Sequence, residues 1–79
     1  MRNYSDEGLL VRIGRKIRIL RESSHMTQGE LAKKLRFKKE AVSRIEKGEY
    51  NMRLNTLFKI AHIFGRRLKI YFVKIKGGV

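Results

Sequence analysis

The stretch TQGELAKKLRFKKEAVSRIEKG, residues 27–48, predicts two short helices joined by a tight turn. Thr27 and Glu30 have the spacing of a capping box, in which each side chain accepts a hydrogen bond from the backbone amide of the other residue. The first helix is therefore expected to start at about Gln28. Its apolar residues share one face and its lysines the other: Leu31, Ala32 and Leu35 against Lys33 and Lys34.

The second helix of this stretch has the same amphipathic pattern. Ala41, Val42 and Ile45 are predicted to face inward. Gly48 is expected to end the helix, because glycine readily adopts the left-handed conformation that follows a helix. The outward residues are mostly basic or polar: Lys38, Lys39, Glu40, Ser43, Arg44 and Lys47. Two short helices joined in this way are typical of a helix-turn-helix motif.

Two further helices are predicted on either side of the motif. Apolar residues recur at helical spacing after the candidate N-cap Ser5 and predict a helix over about 6–22: Leu10, Ile13, Ile17 and Leu20. A fourth helix is predicted after a short loop at 49–52 and ends at Gly65. Its apolar positions are Leu54, Leu57, Phe58, Ala61 and Phe64.

Residues 67–75, RLKIYFVKI, have the alternation and the β-branched and aromatic composition of a β-strand. A lone strand has unpaired backbone groups that need a partner. The same segment of a second chain is the expected partner, in a two-fold homodimer with antiparallel pairing. The side chains assigned to this dimer strand are Leu68, Ile70, Tyr71, Phe72 and Val73. Leu68, Ile70 and Phe72 are predicted to pack towards the helices.

The charge of the chain favours a polyanionic partner. There are 20 Lys+Arg against 7 Asp+Glu, a formal net charge of +13 over 79 residues. Solubility needs a net charge of only about 2 to 8, so the excess calls for another explanation. A structural RNA-binding role fits the charge and the small size. It does not explain the helix-turn-helix spacing, and the chain lacks an aromatic-bearing sheet on which single-stranded bases could stack.

Other classes of protein find little support in the composition. The chain has no cysteine, only two histidines and no visible pair of catalytic acids, so no enzyme, cofactor or metal site is expected. Arg12 interrupts the apolar stretch GLLVRIG, which argues against a signal peptide or a membrane span. The sequence therefore predicts a single cytoplasmic domain over residues 1–79.

Four blocks of sequence occur in a characteristic order: Arg21, TQGELA, AVSRIEKG and LNTLFKIAHIFG. Their order and spacing resemble the phage repressor and Cro-like helix-turn-helix family, also called the xenobiotic-response-element type. The resemblance covers about residues 10–65. It implies a mainly α, lambda-repressor-like four-helix DNA-binding domain over about 6–65, here followed by the strand. It also implies a transcriptional regulator of double-stranded DNA, acting as a homodimeric repressor on an inverted-repeat operator.

The resemblance also implies a set of site residues. In that family the second helix of the motif lies in the major groove, where Lys and Arg donate to guanine and Glu accepts from cytosine. The base-reading positions are Lys38, Lys39, Glu40, Ser43 and Arg44. Phosphate contacts are expected from Gln28, Lys33, Lys47 and Arg53. Alternatively, Gln28 braces a base-reading side chain. Arg21 and Glu46 match a structural ion pair of the family. The residues that match its core positions are Leu31, Ala32, Leu35, Val42, Ile45, Leu54, Leu57 and Ala61.

Some positions depart from the family pattern. Arg36 stands where the turn usually has Gly. Either the turn is strained there, since a positive φ at such a residue costs roughly 1 to 2 kcal/mol, or the turn has a different geometry. Lys38 occupies the N-cap position, where it cannot accept an amide hydrogen bond as Ser or Thr would. Gly14 and Gly29 lie inside predicted helices, at a cost of about 1 kcal/mol each relative to Ala.

A second resemblance leaves an alternative function open. A short repressor-like domain followed directly by a strand looks like antitoxins of the HipB and HigA kind. This resemblance implies that the chain binds and neutralises a toxin protein and represses its own operon.

Overall fold

The computed structural model describes residues 7–77, which form four α-helices. They are α1 (Glu7–Ser23), α2 (Gln28–Leu35), α3 (Lys39–Glu46) and α4 (Leu54–Ile63). The four-helix prediction is confirmed, with boundaries close to those expected. The candidate N-cap Ser5 lies outside the described residues. Over residues 7–77, no helix has the length and apolar character needed to cross a membrane.

The predicted capping box starts α2. Thr27 Oγ1 accepts from the Glu30 backbone N–H at 3.0 Å, and Glu30 Oε1 accepts from the Thr27 backbone N–H at 2.8 Å. The Thr27 backbone N–H, followed by its hydroxyl, holds the pKa of Glu30 below its ordinary value. The cap therefore contributes stability above the unfolded-state pKa of Glu30, and this contribution is lost as the pH falls through the lower folded-state pKa.

Each of the four helices is followed by a residue with left-handed backbone. These residues are His25, Arg36, Gly48 and Gly65, with φ between 55° and 75°. Arg36 therefore adopts the conformation for which glycine is usual, with a φ of 59°. The Phe37 backbone N–H donates to Ala32 O at 2.8 Å and closes this turn. The strain expected at Arg36 is thus present, since an L side chain is disfavoured in this region.

The hydrophobic core lies between the four helices. Its buried members are Ile17, Leu31, Ala32, Leu35, Val42, Ile45, Ile60 and Phe64. The core prediction for α4 was partly wrong, because Leu54 is 52% exposed while Ile60, which was not among the predicted core residues, is only 1% exposed. Since α4 is apolar around most of its circumference, the spacing of its apolar residues did not identify the stripe that faces the core.

Gly14 lies where α1 crosses the C-terminal end of α3 in direct backbone contact. A Cβ atom at Gly14 would stand 2.4 Å from Ile45 O and 2.7 Å from Glu46 O. Gly48 makes the reciprocal approach, since a Cβ there would stand 2.7 Å from the backbone of Val11. The absence of a side chain at residue 14 is therefore required by the packing of α1 on α3.

Gly14→Ala is expected to destabilise the protein by about 1 to 3 kcal/mol, because the new methyl group forces two backbones apart. Gly29→Ala is the control in the first turn of α2, since its Cβ would meet only Thr27 Oγ1, at 3.9 Å. That control should instead stabilise by about 0.4 to 1 kcal/mol, because alanine has fewer conformations than glycine in the unfolded chain. Urea unfolding of both variants measures the difference, and shifts of the same sign and size would contradict the packing argument.

Residues 66–75 follow α4 without regular secondary structure, and the described residues contain no strand. Leu68 is half-buried and, with Ile70 and Tyr71, lines a groove between α1 and α4. Phe72 is fully exposed in the single chain. Its side chain therefore does not pack against the helices within one chain. Pairing of this segment across a dimer stays a prediction.

Candidate nucleic-acid interface

One face of α3 is buried and the opposite face is open to solvent. Val42 and Ile45 pack into the core, where α3 contacts α1 and α2. The residues predicted to read bases lie away from that core face: Lys38, Lys39, Glu40 and Arg44 are exposed, and Ser43 is half-buried. The structure thus brings these side chains together at the start of α3 and along its outer face. This surface can offer both hydrogen-bond donors and acceptors.

The start of α3 has no side-chain cap. Lys38 is the N-cap residue, with an extended backbone (φ −77°, ψ 149°), and its side chain makes no capping hydrogen bond. An ammonium group has only donors, so this result follows from its chemistry. Lys38 is therefore exposed beside the other side chains predicted to read bases, and its ammonium group takes no part in capping the helix.

Arg21 and Glu46 form a buried, bidentate ion pair between α1 and α3. Arg21 Nε donates to Glu46 Oε2 at 2.6 Å, and Arg21 Nη2 donates to Glu46 Oε1 at 3.1 Å. Each residue is only 9% exposed. The hydrogen bond to Glu46 raises the pKa of Arg21, against the opposing effect of burial. Arg21 Nη1 also donates to Met26 O at 2.8 Å, so the pair fixes α1, α3 and the loop before α2.

Gln28 joins the same cluster from the start of α2. Its Nε2 donates to Glu46 Oε1 at 3.1 Å. The structure therefore places Gln28 as a brace for Glu46 rather than for one of the side chains predicted to read bases. The other residues predicted to contact phosphate, Lys33, Lys47 and Arg53, are exposed.

An aromatic pair flanks α3 and was not singled out by the sequence. Phe37 precedes the helix and Tyr50 follows it, with ring centroids 6.2 Å apart and planes tilted by 55°. Arg44 Cζ lies 5.9 Å from the Tyr50 ring centroid, and Arg44 Nη2 donates to Glu49 O at 3.3 Å. The available signal was an aromatic residue on each side of the helix, which spacing alone could not link to Arg44.

The chemistry of this surface is that of a cationic, hydrogen-bonding face. Lysine and arginine side chains can donate to phosphate oxygens or to base edges, and Glu40 can accept. In the part of the chain that the structure describes, no group of three or more His, Asp or Glu residues could hold a metal ion.

Comparison with known sequences gives consistent matches. A family model described as Helix-turn-helix matches residues 17–70. Two uncharacterized HTH-type transcriptional regulators of Archaeoglobus fulgidus are 41% and 36% identical over 58 residues, which are 73% of this chain and 83% and 82% of those proteins. An uncharacterized HTH-type transcriptional regulator of Methanocaldococcus jannaschii is 38% identical over 58 residues, 73% of this chain and 88% of that protein.

Comparison with solved structures shows the same fold. A chain of a HipB–O2 20mer complex superposes with a TM-score of 0.67 at 24% identity, covering 94% of this chain and 99% of that chain. A chain of a HipA–HipB–O2–O3 complex superposes with a TM-score of 0.66 at 24% identity, covering 94% of this chain and 100% of that chain.

Proposed function

The chain belongs to the helix-turn-helix family, and on that basis we propose that it is a sequence-specific, double-stranded DNA-binding transcriptional regulator. The observation that carries the proposal is the outer face of α3, where basic and polar side chains lie opposite the buried Val42 and Ile45. The relatives in two archaea are named as transcriptional regulators of this type. We further propose that the protein acts as a repressor and that it binds its DNA in the cytoplasm.

In the proposed complex α3 enters the major groove with its outer face towards the bases. Lys39 and Arg44 would donate to guanine O6 and N7, and Glu40 would accept from cytosine N4. Exposed lysines such as Lys33 would contact phosphates and hold the helix in register. Gln28 has a second amide N–H beyond the one given to Glu46, and this group remains for a phosphate.

Arg44→Ala or Lys39→Ala should weaken binding to the preferred site by about 1 to 3 kcal/mol and relax its sequence preference, because a base contact is lost. Lys33→Ala is the matched control, an exposed cation of α2 that we assign to phosphate. It should weaken binding to every duplex alike and flatten the salt slope by about one unit.

Selection of bound sequences from a random DNA pool would first supply the preferred site and its spacing. Titrations of specific and scrambled duplexes at several salt concentrations then separate the two classes of residue. Equal losses on both duplexes for Arg44→Ala would rule out a base-reading role for that residue.

We propose a homodimer as the binding unit. The support is the row of apolar side chains that the single chain leaves exposed, from Ile70 to Val73, on a segment with no strand partner in the described residues. Antiparallel pairing of two such segments would satisfy their backbones and cover these side chains. Two copies of α3 would then meet major grooves about 34 Å apart on an inverted repeat.

An antitoxin role is the second candidate, favoured by the match to HipB over 94% of the chain. One of the matched structures contains HipB together with HipA and the O2 and O3 sites. If this chain has such a partner, a reading frame encoding it should lie next to its own. Expression of that neighbour alone should arrest growth, and coexpression of this chain should relieve the arrest. Growth arrest that persists on coexpression would leave DNA-binding regulation as the function.

A further inference from the structure

Arg44 is held in place on the surface of α3. Its guanidinium carbon lies 5.9 Å from the centroid of the Tyr50 ring, and Nη2 donates to Glu49 O at 3.3 Å. A guanidinium over an aromatic face is attracted by the negative potential of that face. A side chain that is ordered before binding loses less conformational entropy when it meets its target. The contact with Tyr50 therefore favours an Arg44 conformation that is set in advance.

Tyr50 is itself anchored to the motif. It is half-buried, and its ring packs against Phe37 at 6.2 Å. Phe37 lies in the turn before α3, packs against the core and donates its backbone N–H to Ala32 O. The aromatic pair thus bridges the segments that enter and leave α3. The ring beneath Arg44 is consequently fixed relative to the helix rather than to a free loop.

We propose that Tyr50 is a specificity-determining positioning residue, whose ring orients Arg44 for guanine. This inference rests on the proposed function, in which Arg44 reads a base. Among the described residues, Glu49 O is the only hydrogen-bond partner of the Arg44 guanidinium. The remaining N–H groups are available for guanine O6 and N7, which accept a bidentate pair from arginine. Tyr50 acts on recognition through Arg44 and contacts no base.

The test compares Tyr50→Leu with Tyr50→Phe, each made in the wild-type protein and in Arg44→Ala. The measured quantity is discrimination, the ratio of Kd values for the preferred duplex and for one changed at the base pair where Arg44→Ala relaxes preference. Tyr50→Leu should reduce discrimination about two- to fivefold, the range of an exposed cation–π contact. Tyr50→Phe keeps the ring and should behave as wild type. In the Arg44→Ala background, Tyr50→Leu should not change discrimination further. The Tyr50→Leu single variant should have the same salt slope as the wild type.

Several results would overturn the inference while leaving the proposed function intact. Tyr50→Leu could discriminate as well as wild type, or its effect could persist in the Arg44→Ala background. A loss in Tyr50→Phe equal to that in Tyr50→Leu would assign the effect to the hydroxyl group rather than the ring. By contrast, a wild-type protein that binds all duplexes equally, or an Arg44→Ala variant with unchanged preference, would contradict the proposed function itself. Thermal melts of the Tyr50 variants show whether folding is retained.

Discussion

Glu46→Ala is expected to destabilise the protein by about 3 to 5 kcal/mol, the cost of stranding a buried charge. The substitution removes both hydrogen bonds that Glu46 accepts from Arg21. Arg21 would keep the carbonyl of Met26 and a distant contact with Glu22, whose carboxylate lies 3.9 Å away. An arginine side chain that is 11% exposed cannot recover the lost interaction from water without moving α1. Urea unfolding followed by circular dichroism measures the change.

Arg18→Ala is the matched control for this prediction. Arg18 and Glu22 form an ion pair at 3.2 Å on the same helix, with side chains 61% and 53% exposed. Loss of an exposed pair is expected to cost only about 0 to 1 kcal/mol. A Glu46→Ala variant that unfolds at the same urea concentration as Arg18→Ala would show that the buried pair does not hold α1 to α3.

Ile70→Pro should convert the proposed homodimer into monomers and lower operator affinity by about 10²- to 10⁴-fold, the usual gain from linking two binding modules. Proline lacks the backbone N–H that strand pairing needs. The substitution removes no charge, so weak binding to unrelated DNA should remain. Deletion of residues 67–79 should have the same effect on assembly, although it also removes cations. Sedimentation measures the change in assembly, and DNA titration measures the change in operator affinity.

Lys76→Pro is the control, because residue 76 lies beyond the predicted strand and within a turn. It should leave assembly unchanged and lower operator affinity by no more than the loss of one cation does. If Ile70→Pro still sediments as a dimer and binds its operator normally, the segment is not the homodimer interface. Pairing of this segment with a different protein would then be the better account.

The helices could be predicted from the sequence because their limits are set by neighbouring residues. Thr27 and Glu30 mark the start of α2 on their own, and Gly48 and Gly65 lie just beyond the ends of α3 and α4. The outer face of α3 could likewise be assigned from spacing, since its apolar residues recur at helical spacing on one side of the helix and its polar residues lie on the other. These are local properties, which do not depend on what the rest of the chain does.

The features that were not predicted depend on residues far apart in the chain. The buried position of Ile60 follows from the way α4 packs on α2, which no local spacing determines. The contact of Tyr50 with Arg44 depends on the path of the loop after α3. The composition of residues 67–75 cannot show whether their backbone is paired, because pairing requires a second strand.

The backbone contact at Gly14 also determines how α1 is aligned along its own axis. Apolar residues recur on every turn of α1, so burial alone would tolerate a slip of one turn, about 5.4 Å. Such a slip would bring Leu10 or Arg18 to the crossing, where even a methyl group would collide with the carbonyl oxygen of Ile45. Misaligned arrangements are thereby penalised while the native one is not. The missing side chain at Gly14 therefore fixes the alignment of α1 on α3.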